Sequence, residues 1–181
     1  MKKSIIKVTA EPHSISDDMD IMELIKNKDK KAFEKLMDMY MNDIFRFSYS
    51  ICKNKVVAED ITQEVFIKLW KNAGSWKPNG KVKNWLLKIA HNASIDEIRK
   101  NKNHIDISEI SYILPDYRAL PDEIMQQKFL QDSMKDAITS LPERQRTAIM
   151  LSYYSNRSNK EGAEIMNVSV DAFESLLARG K

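Results

Sequence analysis

Lys81, Trp85, Lys88, Asn92, Asp96 and Arg99 recur at steps of three and four residues, the spacing that lines side chains along one strip of a helix. The chemistry open to that strip is recognition, not bond-making. Lys and Arg can hold phosphates, an Asn amide can reach base edges, and an indole offers a face to an unstacked base. Just upstream, Trp76, Lys77 and Asn79 add a second indole, cation and amide in a loop suited to capturing a single nucleic-acid strand. Near the C-terminus, Asp171, Ala172, Ser175 and Arg179 fall opposite an apolar stripe of Val170, Phe173, Leu176 and Leu177. Small and polar groups facing out from such a stripe are what a helix in a DNA major groove needs. Only Arg179 is cationic there, beside the acidic Asp171 and Glu174. A third group, Asp60, Gln63, Glu64 and Lys71, surrounds Ile67, an apolar residue on an otherwise polar face and a pattern found at protein contact surfaces. Each group has a plainer reading: Trp85 as core with the lysines solubilising, an ordinary αα-hairpin at the C-terminus, and Glu64 pairing with Lys68 on a solvated face.

The elements that must carry these residues read as helices. Four Gly and five Pro in 181 residues, with abundant Met, Leu, Ile, Lys and Glu, describe helices on short connections. A tail over residues 1–16 precedes a short helical pattern at 17–28. In the next, over 30–53, Phe33, Leu36, Met37, Tyr40, Met41, Ile44, Phe45 and Ser48 mark one face. The helix over 57–72 buries Val57, Ile61, Val65, Phe66, Leu69 and Trp70 and stops at Gly74. The helix over 82–102 has two apolar stripes, one of Val82, Leu86, Ile89, Ala90 and Ala93, the other of Leu87, Ile95 and Ile98 with His91. It is therefore held from two sides. Residues 103–120 break any period and read as a linker. A helix over 122–139 follows, then three shorter ones. Pro142 and Glu143 open one of these, and the Ser158–Glu161 capping box opens another. Ala163 beside Gly162 sits where two helices cross, and Asn167 supplies the left-handed turn. Val168 and Val170 bury that turn, and Ser169 caps the last helix.

Several function classes are excluded. No apolar run approaches the ~20 residues that span a bilayer. Cys52 is the single cysteine and reads as a buried reduced thiol of a cytoplasmic protein. His13, His91 and His104 have no ligand-like spacing with each other or with Cys52, so neither metal nor cofactor is expected. Without a phosphate-binding Gly loop or an activated nucleophile, the chain does not read as an enzyme. The net charge of +3 is mild, but it is unevenly placed. Residues 11–25 hold five acids and no Lys or Arg, whereas 81–102 hold six cations against Asp96 and Glu97.

Three segments carry a resemblance. Ala58 to Trp70 is similar to the core-polymerase-binding helix of the extracytoplasmic-function (group IV) sigma factors of bacterial RNA polymerase. Trp85 to Asn92, with Asp96 and Arg99, resembles that family's promoter-melting and −10-reading helix. Leu141 to Arg146, with the helix-turn-helix that follows, resembles its −35-reading domain. The match runs over about residues 20–181 in the family's order. It implies that Asp60, Gln63, Glu64 and Ile67 contact core polymerase at the β′ coiled coil, with the β subunit a further partner. It also implies that Asn92 reads the −10 element with Lys88 and Arg99 on its backbone, that Trp76 and Trp85 serve the melted strand, and that Asp171, Ser175 and Arg179 lie on the −35 element. An anti-sigma factor and a stress signal are implied by the family alone. The chain departs from the family at Ser155 to Ser158, where Glu-Gly-Leu-Ser is frequent, and in stopping at Lys181, where further basic residues are usual.

The expected fold is all-α: two small helical domains joined by a linker, the C-terminal one a helix-turn-helix. Residues 17–102 form the polymerase and −10 unit, 103–120 the linker, and 121–181 the −35 unit. The competing readings are a stand-alone helix-turn-helix regulator, which has no need of the Trp76/Trp85 arrangement, and a helical adaptor that binds protein only.

Overall fold

A computed structural model of the chain describes residues 15–77, 80–101 and 138–180. Residues 1–14 of the expected tail, the linker, His13, Asn79, His104 and all but the end of the helix at 122–139 lie outside the described residues, and the last two residues of that tail, 15 and 16, belong to the first helix.

The described residues hold helices and no strand: α1 (Ile15–Lys26), α2 (Lys30–Cys52), α3 (Lys55–Asn72), α4 (Val82–Asn101), α5 (Glu143–Ile149), α6 (Asn159–Met166) and α7 (Val170–Gly180). A single 3₁₀ turn, Ala73–Ser75, closes α3, and a π turn, Met150–Tyr154, extends α5. Local chemistry sets most of the boundaries. Asp29 caps α2 by accepting from the Ala32 amide at 3.0 Å. Lys53 then turns left-handed at φ 56°, and Asn54 caps α3 through the Val57 amide at 3.1 Å. A left-handed residue followed at once by a cap folds α3 straight back onto α2. The start of α4 is capped from elsewhere in the chain: Asp18 of α1, 3 % exposed, accepts from the Val82 amide at 2.8 Å. A buried carboxylate at a helix N-terminus satisfies an orphan amide and complements the dipole.

The N-terminal core forms where α2, α3 and α4 pack on one another with α1 across them. Leu36, Ile44, Phe47, Ile51, Val65, Leu69, Leu86 and Leu87 are fully or almost fully buried there. The buried face of α2 keeps Leu36, Tyr40, Ile44 and Ser48 of the expected face but is narrower and shifted to one side of it. Leu36, Tyr40, Ile44, Phe47, Ser48 and Ile51 point inward, while Met41 is exposed and Phe33, Met37 and Phe45 are only half-buried. The eight positions read as one face exceed what a single packing seam covers, and the excess lies beside it. Cys52 is half-buried; burial above all pushes its thiol up to about 11, a protonated and unreactive state at neutral pH.

In the C-terminal unit, α5, α6 and α7 enclose Leu151, Ile165 and Phe173. Ser158 accepts from the Glu161 amide, and Glu161 in turn accepts from the Ser158 amide at 3.0 Å, so the capping box forms. Asn167 is left-handed at φ 53° and ψ 51°, and Ser169 accepts from the Ala172 amide at 3.2 Å. The close crossing falls at Gly162, one residue before Ala163: a methyl group there would lie 2.3 Å from Phe173 Cζ. One expectation fails, since Val170 is 39 % exposed. It is the first residue of α7, and the inward stripe begins at Phe173.

Candidate functional site

On α4, Val82, Leu86 and Ala90 of one apolar stripe and Leu87 of the other, with His91, are buried, while Ile89, Ala93, Ile95 and Ile98 are half-buried against the core. What remains outside is the narrow strip. Lys88, Asn92 and Arg99 are exposed along it, and Arg99 lies 3.9 Å from Asp96, a loose pair that leaves the cation available. Trp85 corrects the expectation of a free indole. It is half-buried and packs against the core, because it follows Val82 by three residues and precedes Ile89 by four, and so borders their stripe. Trp76 is likewise half-buried against the core at the end of the 3₁₀ turn. Lys81 and Lys83 flank the start of the strip, with Lys83 paired to Asp43 of α2.

The recognition-type helix α7 exposes Asp171, Ser175 and Arg179 together, while Phe173, Leu176 and Leu177 are buried. The Arg179 guanidinium donates back to the Ser175 carbonyl at 3.1 Å, and Glu174 is occupied by the Asn159 amide at 2.9 Å. With its apolar side buried and its polar residues outward, the helix has the arrangement a groove-reading helix requires.

The four residues grouped on α3 are all exposed, but they do not share one surface. Gln63 and Ile67 look toward α2, whereas Asp60 and Glu64 look toward Asp96, Glu97 and Lys100 of α4. Glu64 also makes the expected ion pair with Lys68. Ile67, 51 % exposed, stands at the lip of an apolar groove between α2 and α3. The surplus residues of α2, Phe33, Met37, Met41 and Phe45, form its wall, and the groove encloses about 1200 Å³. Phe33 meets Trp70 edge-on at 5.0 Å and Phe66 at 6.4 Å, which fixes the floor. These wall residues were missed as a site. Their signal was an apolar face too wide for one seam.

Two further residues had no place in the sequence reading: Asn84 on the first turn of α4, and Arg157 within the atypical Ser155–Ser158 segment. They touch each other across the two units at 2.7 Å.

A family model described as sigma-70 region 2 matches residues 36–104, and one described as sigma-70 region 4 matches residues 131–181. The ECF RNA polymerase sigma factor SigM of Bacillus subtilis is 34% identical over 150 residues, covering 83% of this chain and 91% of its own. SigW of the same organism is 33% identical over 167 residues, covering 87% and 89%. Among solved structures, the sigma factor RpoE of Bartonella quintana, crystallised with the anti-sigma factor NepR, aligns at a TM-score of 0.68 and 25% identity. That alignment covers 83% of this chain and 92% of RpoE.

Proposed function

Since this chain belongs to the extracytoplasmic-function sigma factors, which direct bacterial RNA polymerase to promoters and start transcription, we propose the following division of labour among its surfaces. The groove between α2 and α3, with Gln63 and Ile67 at its lip, receives the β′ coiled coil of core polymerase. Its volume exceeds the ~300–1,000 Å³ of a small-ligand pocket and suits an apolar helix face. Asp60 and Glu64 form an acidic flank to that contact, and the β subunit meets the rest of the chain. Asn92 reads the −10 element, Lys88 and Arg99 hold its phosphates, and the exposed edges of Trp76 and Trp85 border the melted strand. Asp171, Ser175 and Arg179 lie on the −35 duplex.

In this reading residues 17–102 are the polymerase and −10 unit, 103–120 the tether and 121–181 the −35 unit. Catalysis stays with the polymerase. Binding energy to exposed bases shifts promoter DNA toward the open state. A chain that acts on polymerase at promoters works in the cytoplasm, and no helix among the described residues is long and apolar enough to cross a membrane. The RpoE–NepR pair supports an anti-sigma factor as the partner that holds this chain inactive until a stress signal frees it.

The observation that carries the reading is the pairing, in one unit, of an apolar groove with a half-exposed Ile67 and a cationic strip on α4. Two substitutions separate the surfaces. Ile67→Asp is expected to weaken binding to purified core polymerase at least about tenfold, or ~1.4 kcal/mol. Asn92→Ala is expected to leave that binding intact and to lower promoter-directed initiation. If Ile67→Asp bound core polymerase normally, the groove would not be the docking surface.

A further inference from the structure

The two units do not hang apart; buried polar contacts join them. Arg146 of α5 is 4 % exposed and reaches into the last turn of α2. Its Nε donates to the Ser50 carbonyl at 2.6 Å and its Nη2 to the Ile51 carbonyl at 3.2 Å. Its Nη1 returns to the Leu141 carbonyl of its own unit at 2.8 Å. Carbonyls at a helix C-terminus carry the negative end of the dipole and lack intrahelical partners, so a guanidinium there satisfies both needs. Lys53, at the same helix end, donates to the Thr139 carbonyl.

A second set of contacts lies on α4. The Asn84 amide donates to Glu161 Oε1 at 2.8 Å, and its carbonyl oxygen accepts from Arg157 Nη1 at 2.7 Å. Arg157 also lies 3.6 Å from Glu161 and is anchored through its Nε to the Ser155 carbonyl. Both ends of the Asn84 side chain are thereby taken up by the loop and first turn of the helix-turn-helix. Asn84 precedes Lys88 by four residues and Asn92 by eight, so it belongs to the same strip.

Building on the sigma reading, we propose that this is an autoinhibitory clasp: the first helix of the helix-turn-helix, α6, closes over the first turn of the strip on α4, and promoter recognition requires Arg157 and Glu161 to release Asn84. In a helix-turn-helix the first helix crosses the DNA backbone while the second enters the groove. A duplex seated on α7 and a strand laid along α4 would therefore compete for the volume beside Asn84 that α6 occupies. The occupant of this part of α4 in the free protein is the chain's own C-terminal unit.

The test uses the full chain in a Cys52→Ser background carrying Asn84→Cys and Arg157→Cys, treated with a reductant-cleavable bismaleimide. Arg146 still joins the units in this variant. A bridge is expected to form in the free protein in high yield. With core polymerase the bridged chain is expected to lose at least about tenfold in initiation, ~1.4 kcal/mol, and to regain it when the bridge is cleaved. Recovery on cleavage shows that the fold is intact. Failure of the bridge to form in a chain of native helix content would overturn the closed state. Equal initiation before and after cleavage would overturn its inhibitory role. Should the unmodified wild-type chain fail to initiate at all, the sigma reading falls instead, and the yield of the bridge still decides whether the two units close.

Discussion

His91 and Lys88 sit one turn apart on α4 and do opposite work. His91 is buried, and burial above all, with the charge of Arg144 adding to it against a hydrogen bond with Asn92, lowers its pKa below the ordinary 6.5. The folded chain therefore prefers the neutral imidazole, while the unfolded chain takes up a proton more readily. Stability from this group is complete above the unfolded pKa and is lost as the pH falls below it. The denaturant midpoint is expected to drop between about pH 7.5 and 5.5, and His91→Gln to flatten that drop. A wild-type midpoint constant over this range would contradict the assignment. Glu161 titrates in a separate window. Burial opposes its ionisation, but hydrogen bonds from Asn84 and Ser158, with Arg157 nearby, hold its carboxyl at about 2 against an ordinary 4.5. Its contribution is present above the ordinary value and fades only as the pH falls toward the lower one. Lys88 faces solvent and, as a phosphate contact, has a different signature. Lys88→Ala should weaken promoter binding by the polymerase holoenzyme alike on all sequences and reduce its salt slope by about one. Loss confined to one sequence position would assign Lys88 to base reading.

Elements were legible where their signals are local. Ser158 with Glu161, Asn167 and Ser169 each act within four residues, and the caps and turn they announce are present. What could not be read is what arrives from far away in the chain. Asp18 looked like one acid in an acidic stretch, yet it caps α4 from 64 residues upstream. Periodicity also gives the width of an apolar face without saying which part meets a neighbour, and so Met41 and Phe45, read on one face with Leu36 and Ile44, wall a groove beside the packed seam. Trp85 is half-buried for a related reason, because an indole bordering a buried stripe is drawn in with it. The helix-turn-helix offers an element-scale test. Phe173 occupies the space above Gly162 and is fully buried, so Gly162→Ala must displace the ring. Overpacking of this kind costs about 1–3 kcal/mol. Thermal unfolding followed on the C-terminal unit should shift downward accordingly, with weaker binding of −35 duplex. An unchanged midpoint would mean that α6 and α7 can separate freely.

At the scale of the molecule, composition and three ordered segments were enough to give an all-helical chain with two functional units, and the family models cover both. How the units meet was not legible. Arg146 stood within the Leu141 to Arg146 segment that resembles the −35-reading domain, and nothing near it announces a partner at the end of α2. The same holds for Arg157, whose partner Asn84 lies 73 residues away. Side chains that hold domains together need partners of modest chemistry, here backbone carbonyls and one amide, and such partners leave no pattern in sequence. Whether this chain gives polymerase its promoter choice is decided by transcription from a promoter library by purified bacterial core polymerase with and without the chain. New initiation is expected at sites sharing a two-part −10/−35 pattern, with Asn92→Ala losing about 1–3 kcal/mol of discrimination at one −10 position. No initiation above core polymerase alone, together with no binding to it, would overturn the sigma-factor role and leave a stand-alone helix-turn-helix regulator in its place.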